Sequence, residues 1–143
     1  MNKCQRFSFV DDLGEVVPDG LYMQALVGET LSISVVSFRL PGGPGIAAKA
    51  HSHGEEASLQ IRGGCTVNLG DDPQTPQGAV EMDEGVLMLM PADHPHSGVN
   101  RYDPGGMSLR LNVVTPPRAE FGAKGSAQTY YPTDAAEAGK GAA

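Results

Sequence analysis

Cysteine, positive charge and long apolar runs are all scarce in this chain. Its two cysteines, Cys4 and Cys65, are too few and too irregularly spaced for a disulfide framework or a thiolate metal site. Reduced thiols are expected, with Cys65 a small buried side chain. Ten Lys and Arg stand against 17 Asp and Glu, a net charge of −7, so neither a nucleic-acid nor a membrane partner is expected. No stretch approaches the ~18 apolar residues of a membrane span, and the first residues lack the apolar run of a signal peptide. These absences lead us to expect a soluble, cytoplasmic protein.

What is abundant is turn chemistry. The 19 Gly and 11 Pro mark many turns, and 143 residues suffice for one domain to bury a core without disulfide or zinc staples. Short apolar stretches lie between the turns. Residues 5–10 and 20–27 read as edge strands. Residues 30–40 form a strong strand through Ile33, Val35, Val36 and Phe38, stopped by Pro41-Gly42-Gly43-Pro44-Gly45. Residues 57–69 read as a hairpin broken at Gly63-Gly64, 70–80 as a polar loop, and 86–90 as a buried strand closed by Pro91. Residues 107–115 alternate, with Met107, Leu109, Leu111 and Val113 on one face and Ser108, Arg110 and Asn112 on the other.

Seven or eight short strands separated by turn signals are the pattern of an all-β sandwich or barrel. We divide the chain into N-terminal edge strands over 1–29, a barrel over 30–118 and a C-terminal segment over 119–143. That last segment is expected to be at least partly flexible, with Tyr130-Tyr131 able to dock on the barrel or on a partner subunit.

All four histidines fall in two pairs, His51 with His53 and His94 with His96. In an extended segment the side chains at i and i+2 leave from one face, so His51 and His53 can aim at a single point. That is half of a metal site, and the other half requires an imidazole from a distant strand. Imidazoles with an optional carboxylate suit Zn, Fe, Ni, Mn or Cu and leave positions for water or substrate.

The spacing around these pairs is more specific. Gly45, five residues, His51-x-His53, two residues, Glu56, six residues, Gly63 is followed by Gly85, five residues, Pro91-x-Asp93, two residues, His96, three residues, Asn100. Together these resemble the paired motifs of the cupin superfamily. Asp93 stands where the family has glycine, and His53 and Glu56 are closer than the usual three or four residues. The resemblance implies a double-stranded β-helix, the jelly-roll cupin barrel, working as a homodimer on a small-molecule substrate. It implies one divalent transition metal (Zn, Ni, Fe or Mn) held by His51, His53, His96 and Glu56.

The shortened spacing leaves two registers open. With Gly63 as the motif glycine, Glu56 occupies the ligand position; with Gly64, Ala57 does, and the site is three histidines. In the first register Glu56, Ser58 and Gln60 face the pocket, and Glu56 and Gln60 are the candidates to move or orient a proton. The closing Pro116-Pro117-Arg118 is similar to that of many small cupins, including uronate-processing and polyketide-cyclase types. Isomerase, lyase or cyclase chemistry is thereby implied, with an Fe(II) dioxygenase of the three-histidine type and a non-catalytic binder as alternatives. His94 matches no ligand position, and Glu55 reads as solvent-facing. Gly45, Gly63, Gly85, Pro91 and Asn100 read as structural, and Met88 and Met90 as core, with one of the two able to line the cavity. Arg62 and Arg110 could anchor an acidic substrate, but a solvated face is the better reading for both.

Overall fold

The computed structural model describes residues 4–118. Nine strands run in chain order as β1 (Gly14–Val17), β2 (Leu21–Val27), β3 (Ser32–Arg39), β4 (Glu55–Arg62), β5 (Gly64–Leu69), β6 (Gly78–Met82), β7 (Leu87–Met90), β8 (His96–Arg101) and β9 (Met107–Thr115). They form a six-stranded sheet of order β1-β2-β3-β9-β4-β7 and a three-stranded sheet of order β6-β5-β8. Every strand pair is antiparallel. No α-helix occurs among the described residues, and none of their helices is long and apolar enough to cross a membrane.

The period of two sorts each strand into an inner and an outer face. Ser58 of β4 sits opposite Asn112 of β9, which sits opposite Ser34 of β3, so these three share one face. One step along, Gln60, Arg110 and Val36 share it as well. Two apolar clusters lie on the inner faces: Val16, Leu21, Met23, Val36 and Phe38 at the β1–β3 end, and Cys65, Val67, Met82 and Met90 between β5, β6 and β7. The inner surface from β3 to β4 is largely polar.

Several expectations change here. Residues 5–10 form no strand; the first edge strand is β1, while β2 pairs with β3 from Leu21 to Val27. The stretch 57–69 is two strands in different sheets rather than a hairpin. The chain leaves one sheet for the other at Gly63, whose φ of +65° a side chain would strain and whose added Cβ would fall 2.5 Å from Met107 O. The loop expected over 70–80 gives way to β6 at Gly78, and β8 was not foreseen as a strand. Strand β7 is an edge strand rather than a buried one: Met90 is buried, but Leu87 and Leu89 are 75% and 68% exposed. The segment 119–143, including Tyr130-Tyr131, lies outside the described residues.

Candidate metal centre

Two backbone connections bring the histidine pairs together. His51 and His96 form an antiparallel bridge, each N–H donating to the other's carbonyl at 2.9 and 3.0 Å. The Asp93 N–H donates to the His53 carbonyl at 2.8 Å. Asp93 has φ of +59°, the left-handed conformation that glycine adopts freely and aspartate tolerates better than most residues. The departure from the glycine of the motif therefore leaves the turn intact. Gly54 seals the other side: a Cβ there would collide with Thr115 O at the end of β9.

The His51, His53 and His96 rings converge, with centroid separations of 5.4, 4.4 and 4.9 Å. One ring nitrogen from each lies within 4.8 Å of the others. In each ring Nδ1 faces a backbone carbonyl: Lys49 O at 3.3 Å for His51, Gly54 O at 2.8 Å for His53 and His94 O at 2.7 Å for His96. A carbonyl only accepts, so Nδ1 carries the hydrogen and each Nε2 keeps its lone pair for the shared point. This tautomer is assigned from the hydrogen-bond partners. It is the form in which three imidazoles bind a metal ion.

Glu56 stands beside this trio rather than within it. Its Oε2 lies 3.1 Å from His53 Nε2, yet that buried nitrogen makes no hydrogen bond. A lone pair and a carboxylate oxygen this close repel unless a positive charge, a proton or a metal cation, lies with them. The donor chemistry therefore fits a divalent cation held by His51, His53 and His96, with Glu56 adjacent. Ser58 Oγ lies 2.7 Å from Glu56 Oε1 and 2.8 Å from Asn112 Oδ1. One hydroxyl hydrogen cannot serve two acceptors, so it goes to the carboxylate, and the Asn112 amide turned over donates to Ser58.

Burial holds two of the three imidazoles below their ordinary range. Burial pushes the His51 imidazole down to about 3, helped by the nearby His96 and Arg118 charges. Burial also lowers His96. For Glu56 burial alone would raise the carboxyl, but the His53 ring and the Ser58 hydroxyl outweigh it and hold the group at about 2. The result is two imidazoles, His51 and His96, that stay unprotonated at neutral pH beside a carboxylate that stays ionised.

Gln60 is fully buried, four residues along the same face from Glu56. Its Nε2 donates to Arg62 O at 2.8 Å and to Ser108 Oγ at 3.1 Å, and its Oε1 has no protein partner. The His94 side chain is exposed, and its contribution is the carbonyl that orients His96. Glu55 is exposed. Arg62 is on the surface, paired with Asp103 at 2.6 Å.

No protein-family model matches the chain, and no curated protein matches it by sequence. Solved structures do. KdgF from Halomonas sp. aligns at a TM-score of 0.58 and 19% identity, covering 78% of this chain and 94% of that one. An RmlC-like cupin from Shewanella frigidimarina aligns at 0.60 and 20%, covering 85% and 99%. The chain has the cupin fold. The iron form of HppE also aligns, at 0.52 and 17%, over 66% of this chain and 50% of that one.

The cupin barrel also brings to its interior residues that the sequence left unassigned. A solvated face was the preferred reading for Arg110, with an anchor for an acidic substrate as the alternative, but it points inward with Ser108 and Asn112; the alternation of β9 grouped these three without saying which way they face. Asn100 does more than hold a turn, since its Oδ1 accepts from Arg110 Nη1 at 3.0 Å. Arg118, at the end of Pro116-Pro117-Arg118, returns to the start of β3, its N–H donating to Ser32 Oγ at 3.2 Å.

Proposed function

We propose that this protein is a mononuclear-metal enzyme that uses Lewis-acid chemistry, of isomerase, lyase or cyclase type, on a small oxygenated organic substrate. The observation that carries this reading is the convergence of three imidazoles, His96 buried and His51 and His53 half-buried, whose Nδ1 hydrogens are all engaged by backbone carbonyls. His51, His53 and His96 would hold the ion, which when bound supplies polarisation of a substrate carbonyl or hydroxyl oxygen. The chain's own groups supply the rest. Glu56, an anion at neutral pH, accepts or holds a proton at Oε2, and Ser58 fixes the rotation of that carboxylate through Oε1. Gln60 orients a donor group through its unpartnered Oε1.

A three-histidine set with the carboxylate set to one side favours a second reading, an Fe(II)-dependent dioxygenase; HppE, a structural neighbour of the same fold, has been solved with Fe(II). One experiment separates them. The protein is purified without added metal or chelator, its metal is determined by mass spectrometry, and oxygen uptake is followed after Fe(II) loading with catechols, β-diketones and flavonols. Zinc or nickel near one per chain with no oxygen uptake supports the Lewis-acid reading. Iron with substrate-dependent oxygen consumption replaces it with the dioxygenase, and no metal even after reconstitution ends both.

A further inference from the structure

Arg110 is the one guanidinium on the described strands that enters the barrel. Arg39 stacks on Tyr22 on the outer face, Arg62 pairs with Asp103, and Arg101 pairs with Glu81 and Asp83 at the surface. Arg110 instead crosses from the large sheet to the small one, donating to Asn100 Oδ1 of β8, with its guanidinium 5.7 Å from the Phe38 ring centroid. None of the ion pairs among the described residues involves it. Its fixed partners are a neutral amide and an aromatic ring. A guanidinium drawn out of bulk water with only neutral partners carries an uncompensated charge, which an anion offsets.

Its position relative to the histidines is set by both sheets. Arg110 is four residues from Val114, which is paired with Glu56, and Asn100 is four residues from His96 on the same face of β8. Four strand residues span about 13 Å. The wall between is built of small polar side chains, Ser34, Ser58 and Asn112, and of Gly98. Arg110 and Asn112 point inward yet are only partly buried, so solvent reaches this interior.

We propose that Arg110, held by Asn100, is a carboxylate anchor, and that the substrate is a small organic acid whose oxygen donors sit at the three histidines while a distal carboxylate pairs with Arg110. This rests on the reading of His51, His53 and His96 as a metal site. A carboxylate suits the position better than a phosphate, because the planar fork of one arginine matches two oxygens and one charge. Where the side chains at both ends stand roughly perpendicular to the sheet, the offset between them follows that of their strands, and less a polar contact of roughly 2–3 Å at each end it is of the order of a five- or six-carbon chain.

The test uses the full chain loaded with Co(II), whose visible spectrum reports a ligand entering at the histidines. The probes are 2-hydroxyglutarate and 2-hydroxyadipate, each against its partner without the distal carboxylate, 2-hydroxypentanoate and 2-hydroxyhexanoate. The expected result is that at one of the two lengths the dicarboxylate binds roughly ten- to a hundredfold more tightly. Arg110→Gln abolishes that preference while cobalt stoichiometry stays near one per chain, and Arg110→Lys, which keeps the charge, retains part of it. Equal affinity for both members of each pair in the unaltered protein overturns the inference, as does a preference that survives Arg110→Gln. Cobalt that loads without any preference defeats this inference alone; cobalt that fails to bind defeats the metal reading and this one with it.

Discussion

The inner faces of this barrel are of two kinds. At the β1–β3 end and between β5, β6 and β7, packed side chains such as Leu21, Met23, Met82 and Met90 are almost entirely removed from water. Between these clusters runs a seam of Ser32, Ser34, Glu56, Ser58, Gln60 and Ser108, buried just as deeply but polar. Burying apolar area stabilises the fold in proportion to that area, whereas each buried hydroxyl, amide or carboxylate costs free energy unless hydrogen-bonded. The seam meets this cost through a network, Ser58 to Glu56 and Gln60 to Ser108, and leaves His53 Nε2 and Gln60 Oε1 without partners. The clusters hold the barrel together; the seam makes its interior reactive.

Exchanging the two kinds of region shows how separate they are. His96→Ala, in the seam, should lower metal affinity by more than the ten- to hundredfold typical of losing an outer partner of a metal ligand, because it removes a ligand outright. Equilibrium dialysis measures this, and unchanged affinity would remove His96 from the site. Met82→Ala, in a cluster and fully buried, should cost about 2–5 kcal/mol in urea unfolding while leaving one metal bound per chain. A fall in metal stoichiometry in that variant would show the two regions to be coupled.

The seam should also carry the pH dependence. With His51 at about 3 in the folded, metal-free chain against an ordinary 6.5, the unfolded chain takes up a proton between these values that the folded chain refuses. Stability is therefore greatest above pH 6.5 and falls as the pH drops through that value, by about 1 to 2 kcal/mol between pH 7.5 and 5.5. His96 acts in the same direction. Glu56, held at about 2 rather than 4.5, adds stability above pH 4.5 that is lost as the pH falls towards 2. Urea midpoints that match at pH 7.5 and 5.5 would show that these imidazoles are hydrated in the folded state. The smallest change is expected outside both regions: Arg62→Ala, breaking a surface pair whose arginine side chain is 48% exposed, should shift stability by no more than about 1 kcal/mol.

The sequence by itself determined the all-β class, because turn residues and period-two alternation are local properties. It also pointed to His51 and His53, since the H-x-H spacing places two imidazoles on one face of an extended segment, whereas His96 was named through the motif resemblance and meets them through the His51–His96 bridge. It left β8 unseen: Ser97, Gly98, Asn100 and Arg101 have little strand propensity, and pairing with β5 makes them a strand. It left the standing of Glu56 open, because a one-residue change in a turn rotates a side chain by an amount that only the surrounding backbone settles. Above all it left the direction of β9 open. Alternation sorts Ser108, Arg110 and Asn112 from Leu109, Leu111 and Val113, but which set is inward depends on which side of the large sheet the small sheet covers. That choice is made by contacts between residues far apart in the chain, and it turned the polar face, with its arginine, towards the interior.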